Sequence, residues 1–241
     1  MAGGTPQPAF PDPHDAGPDG LLAAGGKLTE DWLLAAYGQG IFPWFDDDDG
    51  PILWWSPDPR AVIEPGAMRV SRSLAKTIRR GDFVVTMDRD FHQVVAQCAL
   101  TRRDSGTWIT PRMLKAYQAL HVAGYAHSVE VWAEESLVGG LYGVSLGEMF
   151  FGESMFSCAN DASKVAFAAC SAALAAWDFR CIDCQLPNPH LSSLGVIPVP
   201  RSAFLRLIAD NQQQPTRRGA WQLPAHWQEA ALQMQRSRQA G

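Results

Sequence analysis

The chain has 241 residues, 46% of them apolar and 19% charged, and a net charge of −5. That composition can bury one large core with a small satellite, and it excludes a disordered chain and a protein that coats a nucleic-acid duplex. Five irregularly spaced cysteines disfavour a disulfide framework, and uncharged stretches such as the 13 residues of 165–177 are too short to span a bilayer.

The first twenty residues hold five prolines, four glycines and no Lys or Arg. They lack the basic region and apolar run of a secretory signal and read as a lead into a soluble, cytoplasmic protein. GLLAAGGKLTEDWLLAAYGQGIFPWF (20–45) predicts a turn and then a helix capped by Thr29, with Glu30 and Asp31 in its first turn and an end near Gly38 or Gly40. The acidic DDDDG at 46–50 is a loop, and ILWWSPDPRAVI (52–63) is a strand-like run broken by two prolines. A boundary at 65/66 separates a small N-terminal domain, 1–65, from a larger one, 66–241.

Beyond it come a basic helix, a strand at 83–87 and helices at 90–100 and 111–123, the last opening on Pro111. SVEVWAEESLVGGLYGVSLGEMFFG (128–152) alternates as an antiparallel meander with turns near 134–136 and 146–147. NDASKVAFAACSAALAAW (160–177) is a helix capped by Asn160 or Asp161, and RCIDCQL (180–186) a strand. Strands, helix, strand in that order make a mixed sheet with a crossover helix, an α+β core. The last forty residues carry little pattern, and 212–214 and the end from Arg236 read as loose.

Charge is uneven along the chain. Residues 69–115 hold ten of the twenty basic residues against four acids, so the rest of the chain carries −11. Arg69, Arg72, Lys76, Arg79 and Arg80 follow one stripe of a helix, suited to phosphate oxygens or to plain solvation. Cys181 and Cys184 form a C-x-x-C with no second half to complete a zinc site, so they read as core thiols. Two features point to chemistry on an amine. Glu153 is an isolated acid in an apolar, hydroxyl-bearing segment, and Asp183 and Gln185, two residues apart, point to the same face of a strand.

Several long blocks resemble one family. GLLAAGGKLTEDWLLAAYGQGIFPW (20–44), PILWWSPDPRAV (51–62), GTWIT (106–110), AYQALH (116–121), HSVEVW (127–132), GGLYGV…FFGESMFS…ASK (139–164) and IDCQ…N.HL.SLG (182–195) are similar to the leucyl/phenylalanyl-tRNA–protein transferases. The resemblance implies a small N-terminal domain on a domain like the GNAT acyltransferases. It implies transfer of Leu or Phe, less often Met, from aminoacyl-tRNA to a protein with N-terminal Arg or Lys, marking it for degradation. The ester is already activated, so neither metal nor cofactor is called for.

By the same resemblance, Asp183 and Gln185 are the catalytic pair, with Gln185 orienting the amine and Asp183 polarising Gln185 or accepting charge. Glu153 meets the basic N-terminal residue of the acceptor. Met149, Phe150, Phe151, Met155 and Phe156 are candidate pocket walls, and Trp55, Trp108 and Tyr117 candidate platforms for the terminal adenine. His127 and His190 read as structural. The rivals are an acyl-CoA acetyltransferase, whose pyrophosphate loop would have to lie at 103–108, a tRNA-binding module without chemistry, and an aminoacyl-tRNA-dependent transferase with another acceptor.

Overall fold

A computed structural model describes residues 8–101 and 109–236. The small domain is a three-stranded antiparallel sheet of Leu21–Ala24 (β1), Phe42–Pro43 (β2) and Leu53–Trp55 (β3), in the order β1-β3-β2. Between β1 and β2 runs Glu30–Tyr37 (α1), which starts after Thr29 as expected and buries Leu33, Ala36 and Tyr37, although the Thr29 hydroxyl donates to the Asp31 carboxylate and makes no cap hydrogen bond.

The second sheet holds Arg60–Ile63 (β4), Val84–Met87 (β5), Ala126–Ala133 (β6), Ser136–Leu146 (β7), Met149–Ser157 (β8), Cys181–Gln185 (β9) and Ile197–Val199 (β10), in the order β10-β4-β9-β8-β7-β6-β5. Every neighbouring pair is antiparallel except β8 and β9. A parallel pair needs a long crossover, which is the alanine-rich helix Ala162–Ala176 (α5). The mixed sheet with its crossover helix and small N-terminal domain is consistent with an acyltransferase-like fold. Because β4 pairs with β9, the chain leaves the small sheet between Trp55 and Arg60, ahead of the expected 65/66 boundary. Pro57 and Pro59 lack the N–H groups with which either sheet could continue through this stretch.

The large sheet divides two cores. On one face lie Arg72–Arg80 (α2), α5 and Trp227–Arg236 (α8), and on the other α1, Phe91–Leu100 (α3), Pro111–Val122 (α4) and Arg201–Asn211 (α7). Phe150 and Phe151 alternate into these opposite cores, as strand geometry requires. Residues 202–236 are more ordered than their pattern suggests, and the end beyond Arg236 lies outside the described residues. In α7, Phe204 and Ile208 are buried, and Asn211 ties the helix to the β7–β8 hairpin by donating to the Leu146 carbonyl at 2.8 Å and accepting from Glu148 N–H at 2.7 Å. In α8, Ala231 and Met234 join the α5 core.

Helix α5 approaches the sheet so closely that a Cβ on Gly139 would lie 2.6 Å from the Ala162 Cβ and 2.9 Å from its carbonyl carbon. Gly139→Ala should therefore lower the unfolding free energy by about 1–3 kcal/mol, the usual cost of overpacking, in a urea titration. A midpoint equal to that of the wild type would show that the helix draws back freely.

Candidate active site

A cleft of about 890 Å³ lies between the small domain and the β7–β8–β9 part of the large sheet. Leu141, Phe150, Met155, Phe167 and Ile182 give it an apolar recess. Glu153 and Gln185 line it beside the recess, and Trp44 and Leu186, each about two-fifths exposed, stand at its rim.

Beneath the cleft lies a buried ion pair that the sequence reading missed. Arg60 of β4 donates from Nε to Asp183 Oδ1 at 2.8 Å and from Nη2 to Oδ2 at 2.6 Å, while its Nη1 reaches the Gly40 carbonyl at 3.1 Å. The guanidinium is held between the rings of Phe42 and Phe204, 4.8 and 4.5 Å from their centroids. Neither Arg60 nor Asp183 is more than 1% exposed. A fork-to-fork pair with a third donor satisfied by a backbone carbonyl is a form in which such charges tolerate burial. The signal in the sequence is a single Arg within the strand-like apolar run 52–63, and the structure buries RAVI throughout, where an Arg demands a partner.

Asp183 also sets the conformation of Gln185. Its Oδ1 accepts the Gln185 backbone N–H at 2.9 Å, and Gln185 takes φ = 62° where the β4–β9 register slips. A non-glycine residue in the left-handed region persists only when neighbours hold it there. Strict alternation is therefore not what brings the pair to one place, and Asp183 reaches the backbone of Gln185, not its amide. The amide nitrogen donates instead to Glu153 Oε1 at 3.0 Å.

Glu153 is 7% exposed, yet three donors converge on it. Tyr37 of α1 donates to Oε1 at 2.7 Å and Tyr117 of α4 to Oε2 at 2.6 Å, in addition to Gln185. Burial pushes the Glu153 carboxyl up from the usual 4.5 to about 7, while the two tyrosine hydroxyls and the Arg60 charge pull it down and the Asp183 charge pushes it further up. Burial, with the Glu153 charge, holds both tyrosine hydroxyls well above 10, so they remain donors at neutral pH.

The other expected site residues divide. Phe150 and Met155 line the recess, whereas Met149, Phe151 and Phe156 are buried in the opposite core. Tyr117 is fully buried and holds Glu153, so it is no open stacking platform. Trp55 lines the cleft, but its Nε1 donates to the Trp44 carbonyl at 2.7 Å and the more exposed ring is that of Trp44, which the sequence reading passed over. Trp108 lies outside the described residues. His127 is buried against Asp88 at 2.8 Å and stacks on Trp221, while His190 lines the cleft. Cys181 is buried, and Cys184 faces the cleft.

The basic residues stand apart from the cleft lining. Arg72, Lys76, Arg79 and Arg80 are exposed on α2, while Arg69 precedes the helix, which Ser71 caps. The Arg69 N–H binds the Leu194 carbonyl at 2.8 Å, just after the short helix Pro189–Ser193 (α6) that supplies His190 and Leu191 to the cleft rim.

Two stability tests follow. Arg60→Met leaves Asp183 buried and unpaired and should cost about 3–5 kcal/mol, and adding Asp183→Leu should restore most of it; additive losses in a denaturant cycle would contradict the coupling. For Glu153 the folded-state value is raised, so its contribution to stability is full below 4.5 and is lost as the pH rises through about 7. Glu153→Gln should therefore gain on the wild type across that interval. A constant difference in Tm would contradict the shift.

A family model described as leucyl/phenylalanyl-tRNA protein transferase matches residues 62–209, and one for that family's N-terminal domain matches 26–58. A leucyl/phenylalanyl-tRNA–protein transferase of Anaeromyxobacter sp. is 55% identical over 219 residues, covering 90% of this chain and 93% of that one. Those of Solidesulfovibrio magneticus and Hydrogenovibrio crunogenus are 53% and 52% identical, covering 90% and 91% of this chain and 89% and 87% of their own. The solved structure of L-PGS from Bacillus licheniformis aligns with a TM-score of 0.39 and 11% identity over 62% of this chain and 48% of that one, too loose a likeness to establish a shared fold. On the family models and these relatives, the chain belongs to the leucyl/phenylalanyl-tRNA–protein transferase family.

Proposed function

We propose that the cleft receives the aminoacylated 3′ end of Leu- or Phe-tRNA, less often Met-tRNA, and that the aminoacyl group passes to the α-amine of a protein beginning with Arg or Lys, marking that protein for degradation. The observation that carries this reading is an apolar recess opening beside a carboxyl and an amide, in a cleft whose described lining has no Lys or Arg. A recess of Leu141, Phe150, Met155, Phe167 and Ile182 accepts a Leu or Phe side chain without leaving a polar group unpaired. Its acidic neighbours, Asp46 and Glu153, favour a cationic acceptor over a second anion.

The reaction needs only positioning and proton management, because the ester between amino acid and ribose is already activated. The amine nitrogen attacks the ester carbonyl, an amide bond forms, and the C–O bond to the ribose breaks with a proton arriving on the ribose oxygen. Gln185, its nitrogen committed to Glu153, turns its amide oxygen toward the incoming amine. Trp44 at the rim offers a face to the terminal adenine, and the exposed cations of α2 meet tRNA phosphates. Such a donor places the reaction in the cytoplasm, and among the described residues no helix is long and apolar enough to cross a membrane. An acyl-CoA donor is disfavoured, since its pyrophosphate would meet Asp46 and Glu153 and, among the described lining residues, no Lys or Arg.

The test is transfer of labelled Leu from Leu-tRNA to two peptides, one beginning with Arg and one with Ala. Labelling of the Arg peptide alone is expected. Tight tRNA binding with neither peptide labelled would leave only a binding module. Charge reversal of Arg72, Lys76 and Arg79 together should weaken tRNA binding at least tenfold and flatten its salt dependence, while leaving the reaction at saturating tRNA within a few fold.

A further inference from the structure

Tyr37, Tyr117 and Glu153 touch in a closed ring. The two hydroxyl oxygens are 2.8 Å apart, Tyr37 is 2.7 Å from Glu153 Oε1, and Tyr117 is 2.6 Å from Oε2. Each contact has hydrogen-bond length, but three bonds need three protons and the hydroxyls own two. With Glu153 ionised, both tyrosines donate to it and their own contact holds no proton. With a proton on Oε2 the ring closes: Glu153 donates to Tyr117, Tyr117 to Tyr37, and Tyr37 to Oε1. The geometry thus stores one proton at the edge of the cleft, and none of the three groups has to move to take it up.

We propose that this ring is the proton acceptor for the attacking amine, resting on the reading of the cleft as an aminoacyl-transfer site. An N-terminal amine arrives at neutral pH mostly as an ammonium, with a pKa near 7.7–8.0. One of its N–H bonds breaks, an O–H bond forms on Glu153, and the nitrogen keeps its electron pair for attack on the ester. The second proton leaves with the ribose oxygen as the C–O bond breaks, and the proton on Glu153 returns to solvent before the next turnover. Asp183 is unsuited to the task, since it is wholly buried and its oxygens are taken by Arg60 and the Gln185 N–H. The charged and titratable groups around Glu153 are Tyr37 on α1, Tyr117 on α4, Arg60 on β4 and Asp183 on β9, with Tyr142 on β7 beside the two tyrosines; burial, Tyr117, Tyr37, Asp183 and Arg60 together set its carboxyl at about 7, matched to the amine it serves. Tyr37 acts through Glu153 and is a positioning residue, through which the small domain enters the proton step.

Infrared difference spectroscopy of the full chain reads the proton directly. A carbonyl band of protonated carboxylic acid, absent in Glu153→Gln, should titrate through the neutral range. At a pH just above its midpoint, adding an Arg-initiated dipeptide should raise the band, and the N-acetylated dipeptide, which has no ammonium proton to give, should not. In Tyr37→Phe the midpoint should shift by roughly one unit or more, the scale of a lost hydrogen bond to a charged group. No neutral-range titration, no response to a dipeptide that calorimetry shows to bind, or an unmoved midpoint in Tyr37→Phe would each overturn the ring. Absence of any Leu transfer by the wild type would instead remove the reading of the cleft while leaving the titration of the ring to stand or fall alone.

Discussion

The Arg60–Asp183 pair is the interaction on which the site depends. It crosses from β4 to β9, is shielded by Phe42 from the small domain and Phe204 from α7, and sends a third donor to the Gly40 carbonyl. One charged side chain thereby joins the large sheet, the small domain and helix α7. Water is excluded from all of it, so the pair is held by geometry as much as by attraction: removing either partner strands a buried charge. The left-handed turn at Gln185 is a consequence, because the Asp183 carboxylate captures that residue's N–H and directs its amide toward Glu153.

From that anchor the polar chain runs Asp183, Gln185, Glu153, Tyr117, Tyr37, crossing from the large sheet through α4 to α1. Every member is at least partly buried, so each hydrogen bond is electrostatically strong and each orphan would be costly. The small domain contributes Tyr37 to this chain and Trp44 to the rim. It is part of the site and not merely packed beside it.

Much of this was legible in the sequence where the signal is local. The meander at 128–152, α1 and the crossover helix follow from alternation, caps and composition, and Glu153, Asp183 and Gln185 stand out as polar residues in apolar runs. What was hidden depends on distance along the chain. Arg60 and Asp183 are 123 residues apart, and Tyr37 and Glu153 are 116 apart; nothing in either neighbourhood names its partner. In the same way, β4 becomes a strand of the large sheet only through pairing with β9, a contact that no local pattern before residue 65 names. Period-two alternation put Asp183 and Gln185 together, but the register slip beside Gln185 replaces that reasoning with a backbone hydrogen bond. Helix α8 is masked in the sequence by Gln228, Gln233 and Gln235, which dilute the apolar face that Trp227, Ala231 and Met234 turn to the core.

The central claim is that the recess and the acid–amide pair form one site for an aminoacyl ester and an amine. The most direct measurement is a crystal structure with a leucyl-adenosine analogue in which an amide replaces the labile ester. The account predicts the leucyl side chain among Leu141, Phe150, Met155, Phe167 and Ile182, the adenine on Trp44, and the acyl carbonyl carbon facing Gln185 within reach of an amine bound beside Glu153. An analogue bound with its side chain outside the recess, or with its carbonyl turned away from Gln185 and Glu153, would contradict it.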